Sequence, residues 1–423
     1  MTTLKRVLTW REGAGFTVAA VLGSGVLILP ALTAQMAGPA ALVAWALMAL
    51  AVIPMALTLG RLAILHPDAG GIAAYARAAF GDRVARIVGF LYLGTVPVAG
   101  PAAALIGVGY VSTFLHLPAS ATILGSAILL AIALLTNALG VELSGRTVTL
   151  VVVTVAVIML AAVAVASPHV EGSAFTPFAP HGWAPVGAST ALLFWAFIGW
   201  EMLGHMAEEF VRPERDLPRA LWLAIGVVDV LYLAVALVTV GTHMYGHGRT
   251  GDALAQLVGL GLGNAGMGAV TALALLVTYG TIHTYVAGFS RLVYAQARAG
   301  DLPRSLARLH PRLRTPTRVL AISALPFTLV LLAQALHPVS LGTLIAWPSA
   351  IFIALYVVAM AAGVRLLKAG RQRLGAAAGT ILSAAALLFV GVAVLMPLAI
   401  AALSLVAARR GPRVRDDEPG SVA

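Results

Sequence analysis

No cysteine occurs in the chain, which excludes disulfides, thiolate nucleophiles and cysteine-based metal sites from its chemistry. Charge is nearly as scarce: Asp, Glu, Lys and Arg make up 10% of the 423 residues, whereas 60% are hydrophobic. A soluble domain carries about 25% charged residues, so this composition predicts an all-α integral membrane protein. No polar stretch is long enough for a soluble domain, so one membrane domain is expected over 1–423. A cleavable signal is not expected, because the first apolar segment is too long and no small-residue cleavage site follows it. Span 1 is therefore expected to stay in the mature protein.

At about 20 apolar residues per crossing, the hydrophobic runs predict twelve transmembrane helices. They cover 13–36, 40–65, 87–115, 119–139, 147–166, 184–205, 219–242, 265–292, 319–336, 339–364, 374–391 and 394–408. The last two are short and share a break near Met396-Pro397, which predicts a hairpin rather than one long helix. The formal net charge of +11 invites a nucleic-acid reading, but the positions of the basic residues exclude it. Apart from Arg249, Lys and Arg cluster at alternate span ends, from Lys5, Arg6 and Arg11 through Arg61–Arg86 and Arg291–Arg318 to Arg409–Arg415. That is the positive-inside pattern, so both termini are expected in the cytoplasm, with the surplus charge facing lipid headgroups. The tail 409–423 is expected to be disordered.

Two spans are interrupted within apolar sequence. Gly23-Ser24-Gly25 breaks span 1, and Ala196-Phe197-Ile198-Gly199-Trp200-Glu201 breaks span 6. Unpaired backbone groups cost several kcal/mol each in hydrocarbon, so such breaks persist only where they line a cavity or pack against protein. If 13–166 and 184–364 are two five-span units, each opens on a broken helix, and an odd span count makes the second run inverted. That pattern points to a 5+5 inverted-repeat secondary transporter, with spans 11 and 12 (374–408) outside the repeat. The competing reading is that glycine, present 43 times, merely lets helices pack closely.

At these residues the chain resembles the amino acid–polyamine–organocation superfamily. The resemblance is carried by Gly13-Ala14-Gly15 through Gly23-Ser24-Gly25-Val26, by His66-Pro67-Asp68-Ala69-Gly70-Gly71-Ile72-Ala73-Ala74-Tyr75-Ala76-Arg77, and by Phe80-Gly81. Phe194-Trp195-Ala196-Phe197-Ile198-Gly199-Trp200-Glu201 and Arg212-Pro213-Glu214-Arg215-Asp216-Leu217-Pro218-Arg219-Ala220 extend it over essentially the whole chain. Within the superfamily the likeness is greatest to bacterial exporters of methionine and branched-chain amino acids, including the Val96-Pro97 step and Phe289-Ser290-Arg291-Leu292-Val293-Tyr294. The resemblance implies alternating access, net export and a bacterial inner-membrane location, with uptake or exchange by the same fold as the alternative.

A zwitterionic amino acid needs partners for its carboxylate and its ammonium in a low-dielectric site. Helix ends supply both. The helix restarting after the first break presents N–H groups around Ser24, Gly25 and Val26 with its positive dipole end. The half-helix ending in span 6 offers carbonyls around Ala196, Phe197 and Ile198. Gly23 and Gly25 leave room for close approach. A charged substrate side chain would need a counter-charge, yet the spans contain only Glu201 and Asp229 as carboxylates, and besides histidine only Arg61 and Arg291 as bases. The expected surroundings, Val96, Pro97, Phe194, Trp195, Phe197, Trp200 and Tyr279, favour a neutral apolar amino acid.

Glu201 follows the span 6 break directly and is placed to carry a proton as the site alternates between two aqueous phases. The resemblance implies a gating or coupling role there as well. The alternative is a carboxyl that caps exposed span 6 amides. His283 in span 8 is a second coupling candidate, and Asp229 in span 7 is divided between function and a structural hydrogen bond.

His205-Met206-Ala207-Glu208-Glu209 lacks the two-histidine, i and i+4 spacing of metalloproteases, so neither metal nor cofactor is expected. The connector Arg212–Arg219 is expected to be a short loop, and 70–80 an amphipathic helix on the inner surface. A membrane enzyme would need a nucleophile–base or metal constellation, and a channel a continuous polar pore; the sequence has neither. The partners expected are a small amino acid, protons and the bilayer, with homo-oligomerisation left open.

Overall fold

The computed structural model describes residues 8–66, 70–141, 145–202, 210–246, 251–300 and 302–410, and these are overwhelmingly helical. Its helices are α1 (Trp10–Val21), α2 (Gly25–Ala37), α3 (Ala41–Leu65), α4 (Ile72–Phe80), α5 (Asp82–Phe114), α6 (Ala119–Ala138) and α7 (Gly145–Ala166). The second half adds α8 (Ala184–Leu193), α9 (Pro213–Gly241), α10 (Ala253–Ala299), α11 (Thr317–Leu336), α12 (Leu341–Leu366), α13 (Arg371–Leu387) and α14 (Leu395–Arg410). Among the described residues eight helical runs, with α2 and α3 taken as one, are long and apolar enough to cross a membrane.

The apolar residues divide by surroundings. In α3, α5 and α12 most are buried against other helices, whereas α6, α7 and α11 turn Leu124, Leu150, Leu325 and similar side chains outward. In water such an apolar exterior would be strongly unfavourable; in a bilayer it meets chains as apolar as itself. Helix α10 packs along α5 and α7, α12 along α5 and α13, and α1 along α9.

Several boundaries differ from those the sequence suggests. The connector expected at 212–219 is helical from Pro213 onward, because Pro213 occupies the first turn and Glu214 and Asp216 complement the positive end of α9. Pro218 comes early enough in that helix to interrupt only its first turns. Span 8, expected over 265–292, is preceded by a short helix from Ala253 that the hydropathy reading did not include; the turn between them is at Gly263, with φ +56°. The amphipathic segment forms α4, which buries Ile72, Tyr75, Ala76 and Ala79. Residues 203–209, and with them the His205–Glu209 cluster, lie outside the described residues.

Candidate functional site

Both expected breaks are present and they face each other. Helix α1 stops at Val21 and α2 starts at Gly25; Leu22 to Ser24 run non-helically between them. The first N–H groups of α2, at Gly25 and Val26, have no intrahelical acceptor. Helix α8 stops at Leu193, and residues 194–201 continue as turns.

Close backbone contact holds the two breaks together. Gly199 has φ +128°, a conformation L side chains rarely adopt, and a Cβ there would lie 2.6 Å from the Ala20 carbonyl oxygen. A Cβ on Gly25 would lie 2.8 Å from Ala196 Cα. The hydroxyl of Tyr232, on α9, sits between the breaks, 2.9 Å from the Val21 carbonyl and 3.1 Å from the Ala196 carbonyl, both positioned to accept its single proton. Tyr232 is completely buried, and Phe197 and Trp45 pack around its ring at centroid distances of 5.1 and 5.5 Å.

A cavity opens beside the breaks. Gly23, Ser24 and Gly25 line it from the first break, Trp195 and Ile198 from the second, and Val96 from α5. Thr95, Thr281, Tyr285 and Phe352 complete its polar and aromatic wall, and no charged side chain lines it. The wall is mainly apolar with a few convergent polar groups, the usual make-up of a small-molecule pocket.

Other residues expected around one pocket are elsewhere. Val26 is buried in α2 and Pro97 lies outside the cavity wall. Ala196 contributes its carbonyl to Tyr232 and its Cα to the Gly25 contact. Phe197 turns toward Trp45 and Tyr232, Phe194 packs on Tyr356, and Trp200 is fully buried. Tyr279 donates to Thr136 Oγ1 at 3.0 Å and lies against the His283 ring.

His283 joins α10 to the end of α6. Its Nδ1 is 3.1 Å from both Thr136 Oγ1 and Asn137 Nδ2, and its Nε2 is 3.1 Å from the Val141 carbonyl oxygen. It is not among the cavity-lining residues.

Glu201 is 4% exposed. Its Oε2 accepts from the Gly199 N–H at 3.0 Å and from the Tyr356 hydroxyl at 2.8 Å. The carboxyl thus caps an amide freed by the break, and it is tied to α12. Tyr92 and Tyr285 also lie within electrostatic reach of it. Asp229 is half-buried on α9, one helical turn before Tyr232, and its Oδ1 has no hydrogen-bond partner among the described residues.

Tyr232, Thr281 and Tyr285 were not legible as site residues. A tyrosine in an apolar helix carries no sequence signal of carbonyl partners 211 and 36 positions away. Thr281 and Tyr285 share one face of α10 by their spacing of four, but only the packing of α10 against the breaks gives that face its significance.

The comparisons with known proteins agree with this architecture. A family described as amino acid permease matches residues 8–410. An uncharacterised amino acid permease, YecA of Bacillus subtilis, is 42% identical over 402 residues, covering 94% of each chain. The L-methionine/branched-chain amino acid exporter YjeH of Escherichia coli is 31% identical over 92% of this chain and 93% of its own. The branched-chain amino acid permease BcaP of B. subtilis is 28% identical over 82% of this chain and 79% of its own. The chain therefore belongs to the amino acid permease family, within the amino acid–polyamine–organocation superfamily, and is a membrane transporter rather than an enzyme.

Proposed function

We propose that the protein is a proton-coupled secondary transporter that exports methionine and branched-chain amino acids by alternating access. One observation carries the proposal: the start of α2 and the carbonyl-bearing turns after α8 meet beside one cavity that no charged side chain lines. The N–H groups of Gly25 and Val26 suit a carboxylate, and the carbonyls of Phe197 and Ile198 suit an ammonium, since the Ala196 carbonyl is engaged by Tyr232. The apolar wall receives an uncharged side chain. Names of relatives support the substrate class, since YjeH is a methionine/branched-chain exporter and BcaP a branched-chain permease.

In this reading α1 with α2, and α8 with the turns after it, are the broken first helices of two five-span repeats, 13–166 and 184–364. Helices α13 and α14 are spans 11 and 12, giving twelve spans with both termini in the cytoplasm of the bacterial inner membrane. Glu201 carries the coupling proton, with His283 as the second candidate. Export rather than uptake follows the exporter relative; uptake by the same fold follows the permease relative.

Counterflow in proteoliposomes tests the substrate class. Methionine, leucine, isoleucine and valine are expected to exchange, and arginine and glutamate at least tenfold more slowly, because a charged side chain would be desolvated without a partner. Arginine counterflow equal to that of leucine would remove the proposal.

A pair of glycine substitutions separates ligand approach from helix packing. Gly25→Val drives its Cβ into the backbone of Ala196, so it is expected to lower thermal stability as well as leucine binding. At Gly23 an added Cβ meets nothing closer than 3.8 Å, at Thr281 Oγ1. Gly23→Val is therefore expected to keep the thermal transition while reducing leucine affinity at least tenfold. Unchanged affinity would put the carboxylate elsewhere.

A further inference from the structure

A second, larger opening lies away from the helix breaks, between α3, α9 and the N-terminus of α13. Ile53, Pro54, Leu57 and Leu221 form an apolar wall, and Arg61 and Arg371 lie in the same lining. Neither arginine has an ion pair or hydrogen bond among the described residues, and no carboxylate lines the cleft. Arg61 is half-buried. Arg371 is exposed at the mouth of the cleft, and two unpaired guanidiniums lining one cleft with no carboxylate make a positive field that favours an anion.

The backbone adds to the same field. Gly370, at φ +112°, turns the chain so that α13 opens at Arg371, which leaves the first N–H groups of that helix and its positive dipole end at the cleft. Trp222, 54% exposed, stands at the opening, where an indole suits the boundary between hydrocarbon and headgroups. A free phosphate would satisfy the arginines but leave the apolar wall unmatched. An anionic lipid satisfies both.

We propose that this cleft is a binding site for an anionic phospholipid, whose phosphate is held by Arg61, Arg371 and the α13 N-terminus while an acyl chain lies along Ile53, Pro54, Leu57 and Leu221. The transport reading supplies only the leaflet, the cytoplasmic one; the site itself depends on neither substrate nor direction.

The test titrates the purified full chain in detergent, by native mass spectrometry, with phosphatidylglycerol, with phosphatidylcholine of the same acyl chains, and with inorganic phosphate. Phosphatidylglycerol is expected to bind at least tenfold tighter than phosphatidylcholine. R61Q/R371Q is expected to lose that preference, whereas R373Q, an exposed arginine outside the cleft lining, keeps it within twofold. Gly375→Leu fills the cleft while leaving both arginine charges in place; its Cβ meets nothing closer than Pro54 Cβ at 3.9 Å. It is expected to lower phosphatidylglycerol affinity at least tenfold. Equal binding of the two lipids by the unaltered chain would overturn the proposal without reference to any variant. So would full phosphatidylglycerol affinity in R61Q/R371Q, or displacement by inorganic phosphate together with an unaffected Gly375→Leu, which would mark a phosphate site instead.

Discussion

Gly199→Ala is expected to abolish amino-acid exchange and to lower the thermal stability of the purified protein. Two effects act on the same atom. The left-handed φ of +128° costs a non-glycine residue about 1–3 kcal/mol. The new Cβ also falls 2.6 Å from the Ala20 carbonyl oxygen and 3.0 Å from the Val21 nitrogen, backbone atoms that cannot rotate aside as a side chain could, which adds about 1–3 kcal/mol of overpacking. Relief requires the turns at 194–201 to move away from α1, which also pulls the Ala196 and Val21 carbonyls from the Tyr232 hydroxyl. Gly280→Ala is the control: its added Cβ meets nothing within 4 Å, it precedes the cavity-lining Thr281, and it is expected to keep exchange. Thermal unfolding and leucine counterflow of both variants decide the matter. A Gly199→Ala protein with the unaltered transition and exchange rate would show that the contact between the breaks is dispensable.

The breaks were legible because glycine and serine interrupt apolar runs where hydrocarbon penalises any unpaired backbone. Gly23-Ser24-Gly25 separates α1 from α2 as the residues suggest, and α8 ends before Ala196-Phe197-Ile198-Gly199. Side-chain direction was not legible there. Helical periodicity assigns faces only while the helix continues, and through turns 194–201 it gives no rule by which Trp195 lines the cavity while Phe197 turns to Trp45. The same limit applies to Gly263: it is one of several closely spaced glycines, Gly259, Gly261, Gly263 and Gly266, and nothing local distinguishes the one that takes φ +56°. His283 was recognisable as an ionisable group within an apolar span. Its link through Thr136 and Asn137 to α6 is a tertiary contact across 146 to 147 positions, beyond the reach of any periodic pattern.

Glu201→Gln is expected to preserve substrate exchange and to remove the response of net flux to an imposed pH gradient. The geometry makes the substitution unusually interpretable. Among the described residues, both hydrogen bonds to Glu201 end on one oxygen, Oε2, from the Gly199 N–H at 3.0 Å and the Tyr356 hydroxyl at 2.8 Å. A glutamine presents its amide oxygen to the same two donors, so the cap on the broken helix and the tie to α12 survive while the charge is lost. Exchange requires no net proton movement and is expected to stay within about threefold. Glu201→Ala differs, since it strands the buried Gly199 N–H at about 1–3 kcal/mol, and exchange and stability are expected to fall together. The pair of variants therefore separates the cap from the proton carrier, the two roles that this carboxyl's position allows. Leucine flux is followed in proteoliposomes with pH stepped on each side. If Glu201→Gln still moves leucine in proportion to the gradient, the carboxyl is a cap alone, and coupling passes to His283 between α6 and α10 or Asp229 beside Tyr232.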